Sequence, residues 1–226
     1  MNVRNPSSSD RPAEQTATSR PRTRQADRRA QSRSALLESA ARGLSRVGYG
    51  NLVLEQVAGE AGYTRGALYH QFKGKQELTL AALEWVLATW EQEVGCLVDQ
   101  ETEPVAALLA MARGHAVFCR RDVARMAIAL RLEFAGQDHP VGHAVERSYA
   151  ELVTHCAELI DAGRASGAIP PGPPTRTVAL AFVGALEGTV VALAGCTPHD
   201  ELLAERAAAG VLGVAPAALE RTEEHR

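Results

Sequence analysis

The sequence predicts an all-α protein, and its composition and patterning are the observations that predict it. Apolar residues make up 46% of the 226 residues, but aromatic residues make up only 4%. Alanine and leucine dominate, and apolar positions recur at helical spacing rather than in strict alternation. A chain of this length buries a substantial core in one large or two modest domains. We therefore expect a three-helix unit over 31–80 and a larger helical domain over 81–214.

The first 30 residues are rich in Ser, Pro, Arg and Thr and lack apolar periodicity. They predict a disordered, Arg-rich arm over 1–30, which either reaches DNA phosphates or a minor groove or serves as a solubilising tail. The arm lacks the apolar segment of a secretory signal. At the other end we expect a frayed tail over 215–226.

Charge is divided unevenly along the chain. Residues 1–80 hold 13 Lys/Arg against 7 Asp/Glu, whereas residues 81–226 hold 11 against 20. A basic head on an acidic body suits DNA binding, because positive charge displaces counterions from phosphate. Seven of the 13 basic residues precede Ala30, so a solvated tail accounts for part of this balance.

Cysteine and histidine spacing argues against a metal centre. The four cysteines lie far apart with no C-x-x-C pair: Cys96, Cys119, Cys156 and Cys196. Free thiols in a cytoplasmic protein are favoured over a disulfide framework or a zinc site, and the histidines show no metal-ligand spacing. We predict no metal, no cofactor and, since no apolar run reaches transmembrane length, no membrane partner.

The segment 51–72, NLVLEQVAGEAGYTRGALYHQF, predicts two short helices joined by a tight turn. The first carries one apolar face at helical spacing, formed by Leu54, Val57, Ala58 and Ala61. Gly62 ends it, because glycine adopts the left-handed conformation of many helix C-termini. Thr64 is placed to cap the second helix. This arrangement is typical of a helix-turn-helix, whose second helix enters the DNA major groove.

The second helix has two distinct faces. Ala67, Leu68 and Phe72 are predicted to point inward, which leaves polar side chains outside: Arg65, Tyr69, His70 and Gln71. The preceding helix is predicted over 31–47, with an apolar stripe of Leu36, Leu37, Ala40, Ala41, Leu44 and Val47. Gly48 ends that helix, and we expect half-buried Tyr49 to pack it onto the next two. A new helix follows Gly74 and runs to about Leu97.

Residues 32–84 resemble the DNA-binding domain of the tetracycline-repressor (TetR) family of bacterial regulators. The resemblance is carried, in register, by the first-helix stripe, Gly48-Tyr49, Val57-Ala58, Ala61-Gly62-Tyr63-Thr64-Arg65-Gly66, Leu68-Tyr69, Phe72, Lys75 and Leu78. Leu52 and Val53 replace the family's paired threonines, so Asn51 is a candidate to cap the helix instead. Gln71 replaces the family's histidine.

The resemblance implies a DNA-facing set comprising Thr64, Arg65, Gly66, Tyr69, His70, Gln71 and Lys75. Arg65 is the best candidate for reading a base, since guanidinium pairs with two acceptors of guanine. Tyr69 and Lys75 would hold phosphates and set register. Tyr69 also fits a half-buried core residue, and Lys75 also fits an ordinary solvated lysine.

The rest of the sequence, after about Leu97, predicts helices over 104–118, 120–134, 141–166 and 175–195. A last helix is predicted from about Pro198 to Val211. The break at 167–174, GAIPPGPP, is unambiguous. The resemblance implies a small-molecule pocket among the middle helices. Its candidates are polar or aromatic residues on apolar faces: Trp85, Met111, His115, Met126, Arg131, His155 and Glu187. Each of them also fits ordinary packing or a surface position.

The helix predicted over 175–195 carries small residues on one stripe, which lets another backbone approach closely. In the TetR family, the last two helices pair with their copies in a second subunit. The resemblance implies that this stripe forms a homodimer interface, with candidates Ala181, Gly184, Ala185, Gly188, Ala192 and Leu202. Packing within the chain is the alternative. A two-fold dimer predicts a roughly palindromic operator.

These observations predict a DNA-binding transcriptional regulator, by family default a repressor released by a small molecule. One alternative is a regulator without a small-molecule effector. The other is a helical small-molecule-binding protein or enzyme. Against an enzyme, the sequence shows no nucleophile elbow, phosphate loop or H-E-x-x-H motif.

Overall fold

The computed structural model describes residues 21–193, 196–197 and 199–215. This part of the chain forms ten α-helices, numbered in chain order: α1 (Pro21–Asn51), α2 (Leu54–Glu60), α3 (Arg65–Tyr69), α4 (Lys75–Trp90), α5 (Cys96–Asp99), α6 (Pro104–Phe118), α7 (Met126–Glu133), α8 (Pro140–Ala165), α9 (Thr175–Leu193) and α10 (His199–Leu212). A π-helical turn, Glu91–Gly95, joins α4 to α5. No strand occurs in the described ranges, and the all-α prediction is confirmed.

Helix α1 begins at Pro21, ten residues before its predicted start. The prediction of disorder is therefore wrong for residues 21–30, where Arg, Gln and Ala extend the helix because they are good helix formers. The arm over 1–20 and the tail over 216–226 lie outside the described residues.

The apolar stripe of α1 packs as predicted except at its end. Leu36, Ala40 and Leu44 are fully buried, but Val47 is 46% exposed. Gly48, at φ 72° and ψ −177°, ends the regular helix in a conformation that favours glycine. Because the chain turns away there, Val47 falls outside the core.

Tyr49 is half-buried, as predicted, and its ring contacts residues of the larger helical part. Its ring lies edge-on to Phe134 and His139, with centroids 5.2 Å and 5.3 Å away. The half-buried ring thus joins the N-terminal helices to the larger helical part.

Helix α2 begins without a side-chain cap. Val53 occupies the N-cap position in extended conformation, and Asn51 Nδ2 donates to the Val47 carbonyl at 3.2 Å. The prediction that Asn51 caps α2 is therefore wrong. Leu52, by contrast, is 6% exposed, so the residue replacing a family threonine here has a packing role.

The larger part of the chain departs from prediction mainly between α6 and α7. Residues 120–125 form turns, and α7 begins only at Met126, whereas a helix was predicted from Arg120. Arg120 instead binds both carboxylate oxygens of Asp200, at 2.9 Å and 2.8 Å. This ion pair, in which Asp200 is buried and Arg120 is exposed, connects the end of α6 to the start of α10. A helix opening at Pro198 was predicted for α10, and Pro198 itself lies outside the described residues.

Helix α9 packs against α6, α8 and α10. Among the described residues, it is the helix with the length and apolar composition to cross a membrane. Core helices of soluble proteins share both properties, and Phe182, Val183 and Leu186 of α9 are buried in the protein's own core.

Candidate DNA-binding surface and internal cavity

Helix α3 belongs to the N-terminal helices over 31–80, which we call the head. Its apolar side packs within the head, and one threonine caps its N-terminus. Thr64 has φ −82° and ψ 157°, and its Oγ1 accepts from the backbone N–H of Ala67 at 3.2 Å. Gly62, at φ 78°, makes the turn that separates α2 from α3. Leu68 and Phe72 are 0% and 1% exposed. The predicted turn, cap and inward face are all present.

Five of the seven predicted DNA-facing residues are exposed on one side of this motif: Thr64, Arg65, Gly66, Tyr69 and His70. The Arg65 guanidinium pairs with Glu55 at 2.9 Å and lies 5.3 Å from the centre of the Tyr69 ring. A Cβ added at Gly66 would have Thr64 Oγ1 as its nearest neighbour, at 3.8 Å. The surface therefore combines a cation, an aromatic ring and an imidazole with open backbone.

The other two predicted residues are engaged inside the protein. Gln71 is half-buried, and its Nε2 donates to Ser32 Oγ of α1 at 2.9 Å. Lys75 Nζ donates to the Gly50 carbonyl at 2.8 Å and lies 4.9 Å from the centre of the Tyr49 ring. Each side chain therefore has a polar partner within the protein.

One carboxylate joins the head to the larger helical part. Glu133, the last residue of α7, accepts from the backbone N–H groups of Tyr49 at 2.6 Å and Gly50 at 2.7 Å. A Cβ at Gly48 would lie 2.6 Å from the same carboxylate, so glycine permits this close approach as well as the positive φ. We call this arrangement, Gly48 to Gly50 with Glu133 and Lys75, the head joint. Sequence reasoning missed Glu133, because its partners are 83 and 84 residues away.

A cavity of about 390 Å³ lies within the larger part. Six helices supply its apolar walls, represented by Leu83 of α4, Val98 of α5, Met111 of α6, Ile128 of α7, Leu152 of α8 and Val190 of α9. This size falls within the range of small-molecule pockets.

Four of the seven predicted pocket residues line this cavity: Met111, His115, His155 and Glu187. The other three do not. Trp85 packs against the core, and Met126 is fully buried within it. Arg131 places its guanidinium 4.0 Å from the centre of the Tyr149 ring and pairs with Glu146.

The polar side chains of the cavity form two hydrogen-bonded groups. Trp90 Nε1 donates to His115 Nδ1 at 3.1 Å, and His115 Nε2 lies 3.5 Å from Cys119 Sγ. On the facing helices, the Tyr149 hydroxyl donates to Glu187 Oε1 at 2.7 Å. Sequence reasoning missed Trp90, Cys119 and Tyr149 as lining residues. Trp90 and Tyr149 each follow a buried valine by four residues, so the same search for polar aromatics on apolar faces could have found them.

Burial sets the protonation of these groups. It lowers the pKa of His115, although Glu187 opposes the shift, so the imidazole is neutral near pH 7. Since Nδ1 accepts from Trp90, the neutral ring carries its proton on Nε2. Burial, with a smaller effect of Glu187, raises the pKa of the Cys119 thiol to about 12. Burial and Glu187 also raise the pKa of Tyr149, which remains a hydrogen-bond donor.

No group of three His, Cys, Asp or Glu side chains with metal-binding geometry occurs among the residues the structure describes. His115 instead contacts Trp90 and Cys119, and Tyr149 contacts Glu187. The site is suited to binding a largely apolar molecule with a few polar contacts.

A comparison with known families finds a match within the N-terminal helices. Residues 36–82 match the model of bacterial regulatory proteins of the tetR family. The matched range contains most of α1, all of α2 and α3, and the first half of α4, so it carries the whole helix-turn-helix.

Solved structures extend the TetR likeness over most of the chain. A TetR-family transcriptional regulator from Streptomyces coelicolor is 23% identical with a TM-score of 0.67, covering 81% of this chain and 95% of that one. AibR, in complex with isovaleryl coenzyme A and operator DNA, is 20% identical with a TM-score of 0.65, covering 81% and 100%. The fatty acid degradation regulator FadR from Bacillus halodurans is 17% identical with a TM-score of 0.67, covering 80% and 97%. These likenesses establish a shared fold. No match was found among curated proteins.

Beyond the TetR-type head, α9 presents an exposed stripe of small residues. Ala181, Gly184, Gly188 and Ala192 are exposed, whereas Ala185 is half-buried. A Cβ added at Gly184 or Gly188 would meet nothing within 4 Å. Leu202 of α10 is half-buried, and the neighbouring apolar side chains Leu180 and Val191 are 51% and 67% exposed. Large exposed apolar side chains beside open backbone are typical of an association surface.

Proposed function

We propose that this chain is a sequence-specific DNA-binding transcriptional regulator that a small molecule in the cavity releases from its operator. The observation that carries the proposal is the outer face of α3. A capped helix in a TetR-type head holds Arg65, Tyr69 and His70 exposed on one side. The function is one of binding rather than catalysis.

The proposed roles follow from the chemistry of each side chain. Arg65 reads a guanine through its paired donors, and His70 contacts a base edge or a phosphate. Thr64 and Tyr69 hold phosphates, while Gly66 lets the backbone come close. Lys75 and Gln71, which are engaged within the fold, position the head instead of contacting DNA directly.

The proposed division of labour places DNA binding before about residue 80 and ligand binding after it. Helix α4 belongs to both regions, since it begins close after α3 and supplies Leu83, Val86 and Trp90 to the cavity. Helix α7 likewise lines the cavity with Ile128 and ends at Glu133 in the head joint. A ligand that displaces α4 or α7 therefore changes the position of α3. The complex of AibR with both an acyl coenzyme A and operator DNA supports this two-site arrangement.

We also place a homodimer interface on the exposed face of α9 and the adjoining α10. Exposed Leu180 and Val191 provide apolar contact, and Gly184 and Gly188 leave room for a partner helix. A two-fold dimer would present two copies of α3 to a roughly palindromic operator, with half-sites about one helical turn apart.

The test of DNA recognition is a titration onto DNA from just upstream of the chain's own coding region, over a series of salt concentrations. We expect tight, sequence-dependent binding with a steep salt slope, because phosphate contacts release counterions. Binding that is weak and indifferent to sequence at every salt concentration would contradict recognition of this site.

Arg65→Ala tests the recognition helix itself. It should weaken operator binding by about 1–3 kcal/mol and relax preference at one base position. Arg121→Ala is a matched control, since Arg121 also pairs with a glutamate, at 2.7 Å, and lies 5.5 Å from an aromatic ring centre. Equal binding by wild type and both variants would refute the assignment of Arg65.

A further inference from the structure

The charged residues that line the cavity are mostly acidic. The lining includes four acidic residues, Glu91, Asp99, Glu151 and Glu187, against one basic residue, Arg125; Glu187 is half-buried and the other three acidic residues are exposed. His115 adds no positive charge near pH 7, because burial lowers the pKa of its imidazole. The electrostatic field of the lining therefore favours a cation over an anion.

Glu187 is the acidic group that faces the polar residues of the cavity. Its Oε1 accepts from the Tyr149 hydroxyl at 2.7 Å. Within the described part of the chain, no Lys, Arg or His nitrogen lies within 4.0 Å of its carboxylate. A carboxylate with one neutral donor retains capacity for a charged donor, and a charge-assisted hydrogen bond is stronger than a neutral one.

Aromatic rings that line the cavity also suit a cation. Trp90, Phe118 and Tyr149 line the cavity, and a cation is attracted to the face of such rings. The protein already uses this attraction on Tyr149, where the Arg131 guanidinium lies 4.0 Å from the ring centre. Arg131 is not among the lining residues, and its ion-pair partner is Glu146.

We infer that the cavity selects a hydrophobic amine, bound as its ammonium ion with the nitrogen at Glu187 and the apolar body between α4, α6 and α8. The inference rests on the proposed role of this cavity as the effector site. It sets the chain apart from AibR, whose bound isovaleryl coenzyme A is an anion.

The test uses three eight-carbon ligands of equal chain length: octylammonium, 1-octanol and octanoate. Direct binding to the full-length protein is measured by calorimetry without DNA, at a pH near 7.5. We expect the dissociation constant for octylammonium to be at least about tenfold below that for octanoate, with 1-octanol between them, since only the ammonium gains from the carboxylate. Tighter binding of octanoate, equal binding of all three, or no binding by any would overturn the inference.

Glu187→Gln tests the residue that carries the preference. The amide oxygen still accepts from Tyr149, but its charge is lost. We expect octylammonium to weaken by roughly tenfold while 1-octanol changes by less than about twofold. Glu158→Gln is the control, because Glu158 is an exposed glutamate of α8 outside the lining, and it should leave all three constants unchanged. If Glu187→Gln still prefers octylammonium over 1-octanol and octanoate to the same degree, Glu187 does not bind the ammonium group.

A separate measurement distinguishes this inference from the proposed function. Operator binding is titrated with and without octylammonium, next to the direct binding data. If octylammonium binds but operator affinity is unchanged, this contradicts the proposal that a cavity ligand releases the protein from its operator. The same result supports the inference that the cavity binds a hydrophobic amine. Operator release by octanoate and not by octylammonium would support effector release but contradict the ligand class.

Discussion

The outer face of α3 and the cavity both display polar side chains, but they hold them by different means. On α3, Arg65, Tyr69 and His70 belong to one short stretch of chain, and the partners of Arg65 are exposed groups on the surface. In the cavity, the hydrogen-bonded pairs Trp90–His115 and Tyr149–Glu187 each join side chains from two different helices. The exposed side chains of α3 can give up their present partners and bind DNA instead. The hydrogen bonds of the cavity, by contrast, are formed before a ligand enters.

The comparison also predicts which substitutions have only local effects on the structure. Removing an exposed side chain on α3 should change one proposed contact with DNA and little of the fold. Removing a side chain from one of the hydrogen-bonded pairs of the cavity leaves its partner without a hydrogen bond in a buried place, which costs stability as well as affinity. The predictions below separate these two behaviours, and the first concerns the proposed homodimer interface.

Gly188→Arg should have the largest effect on operator binding. An added side chain at Gly188 meets nothing within the subunit, so the fold is preserved, but it would block a partner helix. We expect a monomer by sedimentation velocity and operator affinity lower by at least about a hundredfold, since two linked heads gain from each other's binding. Gly59→Arg is the control for oligomeric state, because Gly59 is also a helical glycine with open space. If the Gly188→Arg protein remains a dimer, the subunit interface does not lie on this face of α9.

Asp200→Asn should lower the free energy of unfolding by about 1–3 kcal/mol, as expected for a hydrogen-bonded charge pair. Arg120 binds both carboxylate oxygens and holds the pKa of Asp200 below its ordinary value. The stabilisation is therefore present above the pKa of the unfolded carboxyl, about 3.9, and is lost as pH falls through the lower folded value. Urea unfolding at pH 7 and at pH 3 should show the difference between wild type and variant shrinking in acid.

The matched control for Asp200 is an exposed ion pair. Glu146 lies 3.4 Å from Arg131 with 60% of its side chain exposed. Glu146→Gln should change the free energy of unfolding by less than about 1 kcal/mol. A loss as large as that of Asp200→Asn would mean that burial does not separate the two pairs.

Glu133→Gln tests the connection between the two regions. A carboxylate accepts from Tyr49 N–H and Gly50 N–H together, but an amide offers one oxygen, so one donor loses its partner. We expect hydrogen exchange at these two amides to accelerate by about tenfold, which corresponds to about 1.4 kcal/mol, without a change at the amides of α3.

The control for that experiment is Asp138→Asn. Asp138 is a nearly fully exposed carboxylate in the segment after α7 and should leave exchange at Tyr49 and Gly50 unchanged. Unaltered exchange in Glu133→Gln would show that the head joint holds without this carboxylate. If α7 transmits the effect of the ligand to the head, Glu133→Gln should bind a cavity ligand with unchanged affinity. The ligand should then change operator affinity less in this variant than in wild type.

Sequence reasoning was most effective where the determinants of structure are local. The turn at Gly62, the Thr64 cap and the burial of Leu68 and Phe72 all follow from residues within one segment. It did not predict the internal partners of Gln71 and Lys75, because those partners, Ser32 and the Gly50 carbonyl, lie 39 and 25 residues earlier.

The cavity was predicted only in part for the same reason. Helical spacing places His115 and Glu187 on inward faces, but it does not show that Trp90 lies opposite His115 or that Tyr149 reaches Glu187. It also included Met126, whose face is apolar because it packs in the core. Distinguishing a lined cavity from a filled core requires the relative positions of several helices, which periodicity within one helix does not contain.

The smallest predicted effect concerns thiol reactivity, and it tests whether the cavity wall is closed in the free protein. Burial raises the pKa of both Cys119 and Cys156 to about 12, whereas Cys96 and Cys196 are exposed. Because the thiolate is the nucleophile, iodoacetamide at pH 8 should modify the exposed pair at least about tenfold faster, as followed by peptide mass spectrometry. In urea all four should react alike. Fast modification of Cys119 in the folded protein would mean that α6 opens to solvent, and the contrast between a preformed cavity and an exchangeable surface on α3 would then be lost.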